Sequence, residues 1–496
     1  MSKTRLIIIF VLLPAVIAAQ NRLGLTAGDY SGANGIIMNP SSGVNSRYHL
    51  DVQLAGAGVF IKNNYLFLRQ GDYSMTDLLF GNPDFPSFVD ELGNERYVDE
   101  TYHRGLKSGY FDTRVYGPSF LINKGNYSYG LYTGVRAAVM VKNSSYDVSK
   151  FVYEHFDYPP LHNINFKNEI DMHFETLNFL ETGINYGQNI MVRDFAKLDI
   201  GVNFKYLQPH SGAKAFIENA NYVVPNSDTL IVFQGDGALK FAIPFDYDNN
   251  NYSDNGHFFK GRGIGADIGL TYTKTGYYQR KKQSGELYMF NRSDKYEYRI
   301  GLSVIDLGYI TFNKNARVHQ YEDVSTFWTG IDDYEYVSIN STMGDISEHF
   351  YDGDRDKSLV DDAFTMMLPT TMSLQLDYHY TDNWYFHSVL MYSFNKKANG
   401  FNRPHYLALM PRFEKPYYGF GIPVSMYNFR RPQLGLNIRL FFLNIGTSNL
   451  SHYLGISSVS NMDVYVSIKF NLLKAKKLLF GGADCHGYEN NIIREE

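Results

Sequence analysis

The stretch that decides the fold is Tyr127–Lys142, YSYGLYTGVRAAVMVK, in which apolar side chains alternate with small or polar ones. Alternation with a period of two is typical of a β-strand, because successive side chains point to opposite faces of the sheet. One face of this stretch is mostly apolar: Tyr127, Tyr129, Leu131, Thr133, Val135, Ala137, Val139 and Val141. The other face carries glycine, serine and alanine together with Arg136. The sequence therefore predicts a long strand with one apolar face.

The same alternation recurs along the chain, for example in Lys197–Leu207, in Gly261–Lys274 and near 461–472. Strands of soluble proteins average about 5 to 6 residues, whereas a tilted strand that crosses a bilayer needs about 9 to 11. These runs have the second length. The small residues on their second face also differ from the Lys, Glu and Thr that a water-exposed sandwich face would favour. The pattern predicts an all-β, antiparallel transmembrane β-barrel.

The few charges within the predicted strands fall on the non-apolar face. The candidates for lumen-facing residues are Arg136, Asp199, Lys205 and Asp267. A Lys or Arg that faces the middle of the bilayer costs roughly 2 to 4 kcal/mol, so this face should be the lumen. The charges could line a permeation path, or they could pair with one another in a packed interior. An irregular N-terminal segment favours the packed, plugged interior.

Composition excludes several classes of protein. The chain has 496 residues, 44% of them hydrophobic and 16% aromatic, but no apolar run of about 18 residues beyond its N-terminus. A polytopic helical membrane protein is therefore excluded, and the aromatic content argues against disorder. A formal net charge of −5 argues against nucleic acid as a partner. The lone cysteine, Cys485, excludes an intramolecular disulfide.

The first residues read as an export signal. Lys3 and Arg5 form a basic region, Leu6–Ile17 an apolar one, and small residues follow, so 1–19 should be a signal peptide and Gln20 the mature N-terminus. Export together with barrel strands predicts the outer membrane of a Gram-negative cell, with its lipid as a partner.

Connections between the runs alternate in length. Short turns are expected at Asn123–Asn126, Arg193–Ala196, Thr381–Asn383 and Phe429–Pro432, and long polar connections at Gln70–Tyr110, Asn143–Ile170, Pro209–Lys260 and Asn313–Leu368. Short periplasmic turns with long outer loops are typical of outer-membrane barrels. Thirteen runs are recognisable. Because bacterial barrels have even strand numbers, we expect roughly 14 strands with a weak one within 215–250, while 12 and 16 stay open.

Two segments, one before and one after the predicted strands, do not have the pattern of a spanning strand. Residues 20–47 are rich in Gly, Asn and Ser and too irregular for a spanning strand, so we expect a hatch or plug, with residues 48–473 as the barrel. Residues 474–496 are polar and should form a periplasmic tail.

Several local motifs resemble a known family when taken in order: Asn39-Pro40 followed by Ser46-Arg47-Tyr48, Tyr206-Leu207-Gln208, Ser303-Val304-Ile305-Asp306-Leu307-Gly308, Leu368-Pro369-Thr370-Thr371 and Gly446-Thr447-Ser448-Asn449-Leu450. They resemble an outer-membrane barrel family of Bacteroidota that is itself similar to the long-chain fatty-acid transporter (FadL) and PorV group. The resemblance implies a hatch junction at Asn39, Pro40, Arg47 and Tyr48. It covers most of the chain, except that the C-terminal tail departs from the usual ending on an aromatic residue.

Motifs for chemistry are weak. Gly261-x-Gly263-x-Gly265 lies within an alternating strand rather than before a helix, so close backbone approach explains it better than a phosphate loop. Asp352–Asp356 resembles a calcium loop but has Lys357 at the sixth position and Ala363 at the twelfth, which favours a solvated acidic loop. No H-E-x-x-H or G-x-S-x-G motif occurs, and no catalytic, cofactor or metal residue is assigned.

Three functions follow as hypotheses. The first is a transporter or channel for small apolar solutes, based on the expected hatch and the resemblance. The second is a non-enzymatic structural or partner-binding barrel associated with secretion or surface assemblies, based on the amount of polar chain outside the wall. The third, an enzyme, would need Ser, His and acidic side chains clustered at one rim, and it is the least favoured.

Overall fold

The computed structural model describes residues 23–70, 87–90, 93, 95–193, 195–252, 257–281, 287–394 and 401–471. Within these ranges helices are few and short. The α-helices are Leu23–Thr26 (α1), Gly35–Met38 (α2), Tyr146–Glu154 (α3) and Ile339–Phe350 (α4), and the 3₁₀ turns are Gly32–Asn34, Pro40–Asn45 and Pro159–Leu161. Among the described residues, no helix is long and apolar enough to cross a bilayer.

Most of the described chain is strand. The first half contains Leu50–Asn63 (β1), Leu66–Phe67 (β2), Phe88–Val89 (β3), Glu95–Arg96 (β4), Asp99–Glu100 (β5), Lys107–Tyr116 (β6), Ser119–Asn123 (β7), Tyr127–Ser144 (β8), Phe166–Asn168 (β9), Met172–Arg193 (β10), Ala196–Asn226 (β11) and Thr229–Ala242 (β12). The second half contains Gly261–Lys281 (β13), Leu287–Phe312 (β14), Ala316–Thr329 (β15), Leu359–Asp361 (β16), Phe364–Met367 (β17), Thr371–Thr381 (β18), Trp384–Ser393 (β19), Tyr406–Glu414 (β20), Tyr418–Gly421 (β21), Val424–Tyr427 (β22), Arg430–Leu434 (β23), Leu436–Leu440 (β24), Leu443–Thr447 (β25) and Asn461–Asn471 (β26).

These strands close into an antiparallel barrel. Its fourteen wall strands are, in order, β1, β6 with β7, β8, β10, β11, β13, β14, β17 with β18, β19, β20, β21 with β22, β23 with β24, β25 and β26. The first and last strands pair, with Val52 opposite Phe470, so the sheet has no free edge along this seam. The prediction of an all-β barrel of roughly fourteen strands is confirmed.

The fourteenth wall strand was expected in the wrong place. Thr229–Ala242 is a strand within 215–250, but it pairs with the far end of β11 and with β15, outside the ring of wall strands. The missing wall strand is Leu443–Thr447, which pairs with β24 and β26. The turn before it consists of Phe441 and Phe442 and lacks the Gly, Asn or Pro that normally marks a turn, so an apolar run hid it.

The two ends of the barrel differ. Short connections at 124–126, 382–383, 415–417 and 441–442 share one end, which we call the turn end, and long connections share the other, the loop end. The expected turn at Phe429–Pro432 joins β22 to β23 and therefore lies at the loop end, opposite to the end the sequence suggested. The sequence prediction assigned connections to the two ends by their length alone, and this connection is short although it lies at the loop end.

One side of the wall rises beyond the barrel. Strand β11 pairs with β13 through Leu207, but from Gly212 onward it pairs with β12, which continues to β15 and β16. Helix α4 covers part of β15, where the ring of His349 stacks on Trp328 at 4.1 Å between centroids. We call residues 212–242, 316–329 and 339–361 the outer extension. It is a folded platform at the loop end.

The two faces of the wall differ in chemistry. Side chains that point outward are apolar and exposed, as with Val135 (52% exposed), Ile184, Phe204, Ile264 and Leu409. Their neighbours along each strand point inward and are buried. An exposed apolar band of this kind on a closed barrel is typical of a surface that faces lipid. The proposed signal peptide, the tail 474–496 and Cys485 lie outside the described residues.

Candidate functional site

The lumen at the turn end is occupied by residues 23–47, which we call the inner segment. It runs through α1, α2 and the two 3₁₀ turns and contains no strand, and most of its side chains are buried. Its hydrogen-bond partners come from wall strands on all sides, including β1, β7, β10, β11, β13, β14, β18, β25 and β26. The inner segment thus lies across the lumen.

Asn39 and Pro40, expected at the hatch junction, lie at the centre of these contacts. The side-chain NH₂ group of Asn39 donates to the hydroxyl of Thr271 (3.3 Å) and to the side-chain Oε1 atom of Gln375 (3.4 Å). Its side-chain carbonyl accepts from the backbone N–H of Ser41 (3.1 Å), which caps the following 3₁₀ turn. The hydroxyl of Ser41 lies 2.7 Å from that of Thr271. Asn39 and Ser41 therefore anchor one point of the inner segment to the wall.

Two wall glycines make room for this anchor. A Cβ atom at Gly201 would lie 2.3 Å from the carbonyl carbon of Pro40, and one at Gly269 would lie 2.1 Å from the Oδ1 atom of Asn39. Neither distance is compatible with a side chain larger than hydrogen. The glycines on the inward face of the strands therefore allow the backbone of the inner segment to approach the wall closely.

Wall asparagines hydrogen-bond to the backbone carbonyls that a strandless segment leaves unpaired. Asn123 donates to the carbonyls of Val44 and Ser46 (both 2.9 Å), and Asn185 donates to that of Pro40 (3.0 Å). Asn203 donates to that of Ile36 at 2.9 Å. A buried carbonyl without a partner is costly, so these amides stabilise a non-sheet segment inside the barrel.

Arg47 and Tyr48 close the inner segment toward the turn end. The Arg47 Nε atom donates to Asp29 at 2.6 Å, and Asp29 also pairs with Arg299 of the wall. Burial alone would raise the pKa of the Asp29 carboxyl, but Arg299 and Arg47 together hold that pKa below its ordinary value. The ring of Tyr48 packs on that of Tyr30 at 5.6 Å. Asp29 is thus an ionised link between the inner segment and the wall.

Three of the four proposed lumen residues meet in one buried network. The Lys205 ammonium lies 2.7 Å from Asp267 and 2.6 Å from Asp306, and the Arg136 guanidinium lies 2.9 Å from Asp306. Each of these side chains is at most 3% exposed. Such charges are stable in a lumen only when they are paired, as these are.

The fourth proposed residue, Asp199, lies apart from this network. It accepts hydrogen bonds from Asn45 of the inner segment and from Asn189 of the wall, both at 2.7 Å. Its contacts place it nearer the turn end. Asp199 therefore contacts the inner segment rather than the charge network.

The hub of the network, Asp306, was not recognised as a site residue from the sequence. It pairs with Lys205, Arg136 and Arg403, and its backbone N–H donates to Asp267 at 2.7 Å. A signal was present, because Asp306 stands between Ile305 and Leu307 in one of the family-like motifs. Its φ of 58° and the register shift opposite it identify a β-bulge that turns its carboxylate into the lumen.

A cluster of buried apolar side chains, which we call the apolar cluster, lies on the loop-end side of the network. On several wall strands an apolar residue lies a little farther toward the loop end than the charged one, as Leu207 does relative to Lys205 and Phe312 relative to Asp306. The apolar cluster includes Phe60, Tyr110, Met140, Phe179, Phe312, Phe401 and Tyr427. The inner segment, the charge network and the apolar cluster thus succeed one another along the barrel axis.

A family model described as a family of unknown function (DUF5723) matches residues 40–448. The chain belongs to this family. The match includes Pro40, the wall glycines Gly201 and Gly269, and the charge network around Asp306. No curated protein sequence matches the chain.

Among solved structures, the chain is similar to the P. putida toluene transporter TodX, with 9% identity over 92% of this chain and 98% of that one, and a TM-score of 0.40. It is also similar to the Ralstonia pickettii toluene transporter TbuX, with 10% identity over 92% and 98% of the two chains and a TM-score of 0.39. A Pseudomonas aeruginosa FadL homologue matches with 9% identity over 92% and 99%, at a TM-score of 0.23.

Proposed function

We propose that this chain is an outer-membrane transporter for small apolar solutes, in which residues 20–47 form a hatch that closes the lumen. The proposal includes export through a signal peptide at 1–19 and a periplasmic tail at 474–496. The turn end then faces the periplasm, and the loop end faces the outside.

One observation carries the proposal. The inner segment fills the lumen without adding a strand to the sheet, and its hydrogen bonds to the wall come largely from side chains of the wall, such as Asn123, Asn185 and Asn203. A segment attached in this way can detach and leave the closed sheet of the barrel intact. A purely structural core would gain more from strand pairing, which satisfies donors and acceptors of both chains.

The apolar cluster supports the class of solute. Its aromatic and aliphatic side chains lie between the loop end and the charge network, so a solute that enters from outside meets them first. Transfer of an apolar group into such surroundings is favourable by roughly 25 cal/mol per Å² of apolar surface removed from water. A small apolar solute would therefore partition among these side chains before the hatch opens.

Deletion of residues 21–46 tests the function. Single-channel recordings of the deletion variant should show a larger and longer-lived conductance than those of the full chain, because the lumen at the turn end loses its contents. An unchanged, impermeable barrel after deletion would contradict transport through this lumen. Heat-modifiable migration on a denaturing gel checks that the variant has folded.

A second candidate is a partner-binding barrel that serves secretion or surface assembly, as the PorV resemblance suggests. The outer extension favours it, because this folded platform exposes large apolar side chains, among them Phe233 (52%) and Phe327 (67%). Co-purification from native membranes of wild type and of a Phe233→Ser, Phe327→Ser variant compares the two functions. A partner lost only with the variant would favour this candidate, whereas no partner for either would count against it.

A further inference from the structure

The connection between β19 and β20 enters the lumen from the loop end with residues 401–403. Phe401 is 1% exposed and its ring lies 5.8 Å from that of Tyr110, between centroids. The backbone N–H of Asn402 points to the sulfur of Met140 at 3.3 Å. Arg403 is 4% exposed and pairs with Asp306. A loop thus contributes one apolar and one cationic side chain to the interior of the barrel.

The apolar side chain lies among rings that belong to the wall. The ring of Phe60 on β1 lies 6.0 Å from that of Tyr110 on β6 and 4.7 Å from that of Tyr427 on β22. These three residues belong to wall strands on either side of the seam, whereas Phe401 is supplied by a connection. The wall therefore forms an apolar site that a loop side chain fills.

The cationic side chain, Arg403, makes the numbers of acids and cations in the charge network equal. The network contains four acids, Asp112, Glu181, Asp267 and Asp306, and four cations, Arg114, Arg136, Lys205 and Arg403. Seven of the eight lie on wall strands, and Arg403 alone comes from a connection. Without Arg403 the wall would hold four acids against three cations. Asp306 would keep Lys205 and Arg136, but one buried negative charge would then lack a balancing cation, which is costly away from water.

We infer that the space held by Phe401 and Arg403 is a binding site for an amphipathic cation, that is, a solute with a ring-sized apolar group beside an ammonium or guanidinium. In the absence of the solute, the side chains of Phe401 and Arg403 occupy its binding site. The solute displaces them, places its apolar group among Phe60, Tyr110 and Tyr427, and pairs its cation with Asp306. This inference rests on the proposed transport function and adds to its apolar solutes a class in which the apolar group carries a cation.

Binding to purified protein in detergent tests the inference. Phenethylguanidinium is the cationic probe, and 3-phenylpropanamide is a neutral probe of similar size. The variant Phe401→Ala, Arg403→Ala should bind phenethylguanidinium at least tenfold more tightly than wild type and at least tenfold more tightly than it binds the amide. A matched control, Phe394→Ala with Arg355→Ala, removes an exposed aromatic and an exposed arginine at the loop end and should behave as wild type.

Three results would overturn the inference: no binding to the folded double variant, equal binding of the two probes, or equal binding to variant and wild type. If the double variant does not fold, deuterium exchange of wild type gives the answer. Phenethylguanidinium should then accelerate exchange at 401–405 while the amide does not, and no difference between the probes would again refute the site. Because binding in detergent does not require hatch opening, its outcome is separate from that of the hatch deletion.

Discussion

The side-chain amide of Asn203 donates one hydrogen bond to the backbone carbonyl of Ile36 (2.9 Å) and another to the carboxylate of Asp267 (2.8 Å). Ile36 belongs to the inner segment, and Asp267 belongs to the charge network. One wall side chain therefore connects the two layers of the lumen. A substitution of Asn203 would therefore remove one contact from each layer.

Replacement of Asn203 with Ala should loosen the inner segment. An unpaired buried carbonyl at Ile36 costs about 1–3 kcal/mol, which corresponds to exchange that is roughly 5- to 160-fold faster where undocking limits it. Deuterium exchange at 35–45 measures the effect. The control is Asn178→Ala, since Asn178 bonds the hydroxyl of Ser211 on the neighbouring strand. Equal exchange in both variants would show that Asn203 does not hold the inner segment.

A methyl group at Gly201 should displace the anchor at Pro40. The added Cβ would lie 2.3 Å from the carbonyl carbon of Pro40, so Gly201→Ala should destabilise docking by about 1–3 kcal/mol. Gly109→Ala is the matched control, because its nearest neighbour, the Cβ atom of Asn63, lies 4.0 Å away. Single-channel recordings should show frequent openings for Gly201→Ala only. Identical closed traces from the two variants would refute the steric argument.

A charged side chain on the outward face of the wall should destabilise the barrel. Val135 is 52% exposed at an outward position of β8, so Val135→Lys should lower the free energy of unfolding by roughly 2–4 kcal/mol near the bilayer midplane. Val152→Lys, on helix α3 outside the wall, should change it by less than about 0.5 kcal/mol. Urea titration in lipid vesicles compares them. A similar loss for both would contradict a lipid-facing wall.

Acid should weaken the outer extension through His319. Burial first, and then the nearby Arg317, lower the pKa of His319 below its ordinary value of about 6.5. The folded state therefore favours the neutral ring, whose Nδ1 atom lies 2.9 Å from the Ser358 hydroxyl. The contribution of the neutral His319 ring to the free energy of unfolding is complete above pH ~6.5. It is lost as the pH falls through the pKa that His319 has in the folded state.

The fluorescence of Trp328 measures unfolding of the outer extension once the other tryptophan is removed by Trp384→Phe. Urea midpoints for the Trp328 signal should fall between pH 7 and pH 5, and His319→Asn should reduce the fall. A midpoint that does not depend on pH, or one that falls equally in the variant, would exclude His319 as the cause.

Most wall strands could be predicted from the sequence, because the alternation of lipid-facing and lumen-facing side chains is a property of each strand alone. Alternation in Tyr127–Lys142 specifies which side chains face lipid, and the length of the run specifies a membrane strand rather than a soluble one. The short strand Leu443–Thr447 escaped because the turn before it is Phe441-Phe442. Residues that adopt positive φ without being Gly or Asn give no turn signal, and Phe441 has a φ of 50°.

The lumen was less accessible to sequence reasoning, because its contacts join residues far apart in the chain. Arg136 and Lys205 could be assigned an inward direction, but Asp306 could not be recognised as their shared partner. Its side chain reaches the lumen only through a bulge, which breaks the alternation that the reading depends on. Arg403 was hidden for a different reason, since it enters from a connection that belongs to no strand.

A reversible cross-link between the inner segment and the wall tests whether release of the inner segment opens the barrel. The hydroxyls of Ser41 and Thr271 lie 2.7 Å apart, so Ser41→Cys and Thr271→Cys, with Cys485→Ser, should form a disulfide between hatch and wall. Uptake of the apolar dye N-phenyl-1-naphthylamine by expressing cells is the readout, with each single cysteine variant as control. We expect uptake at the level of cells without the protein after oxidation and full recovery after reduction. Uptake by the oxidised, cross-linked protein as fast as by the reduced one would contradict it.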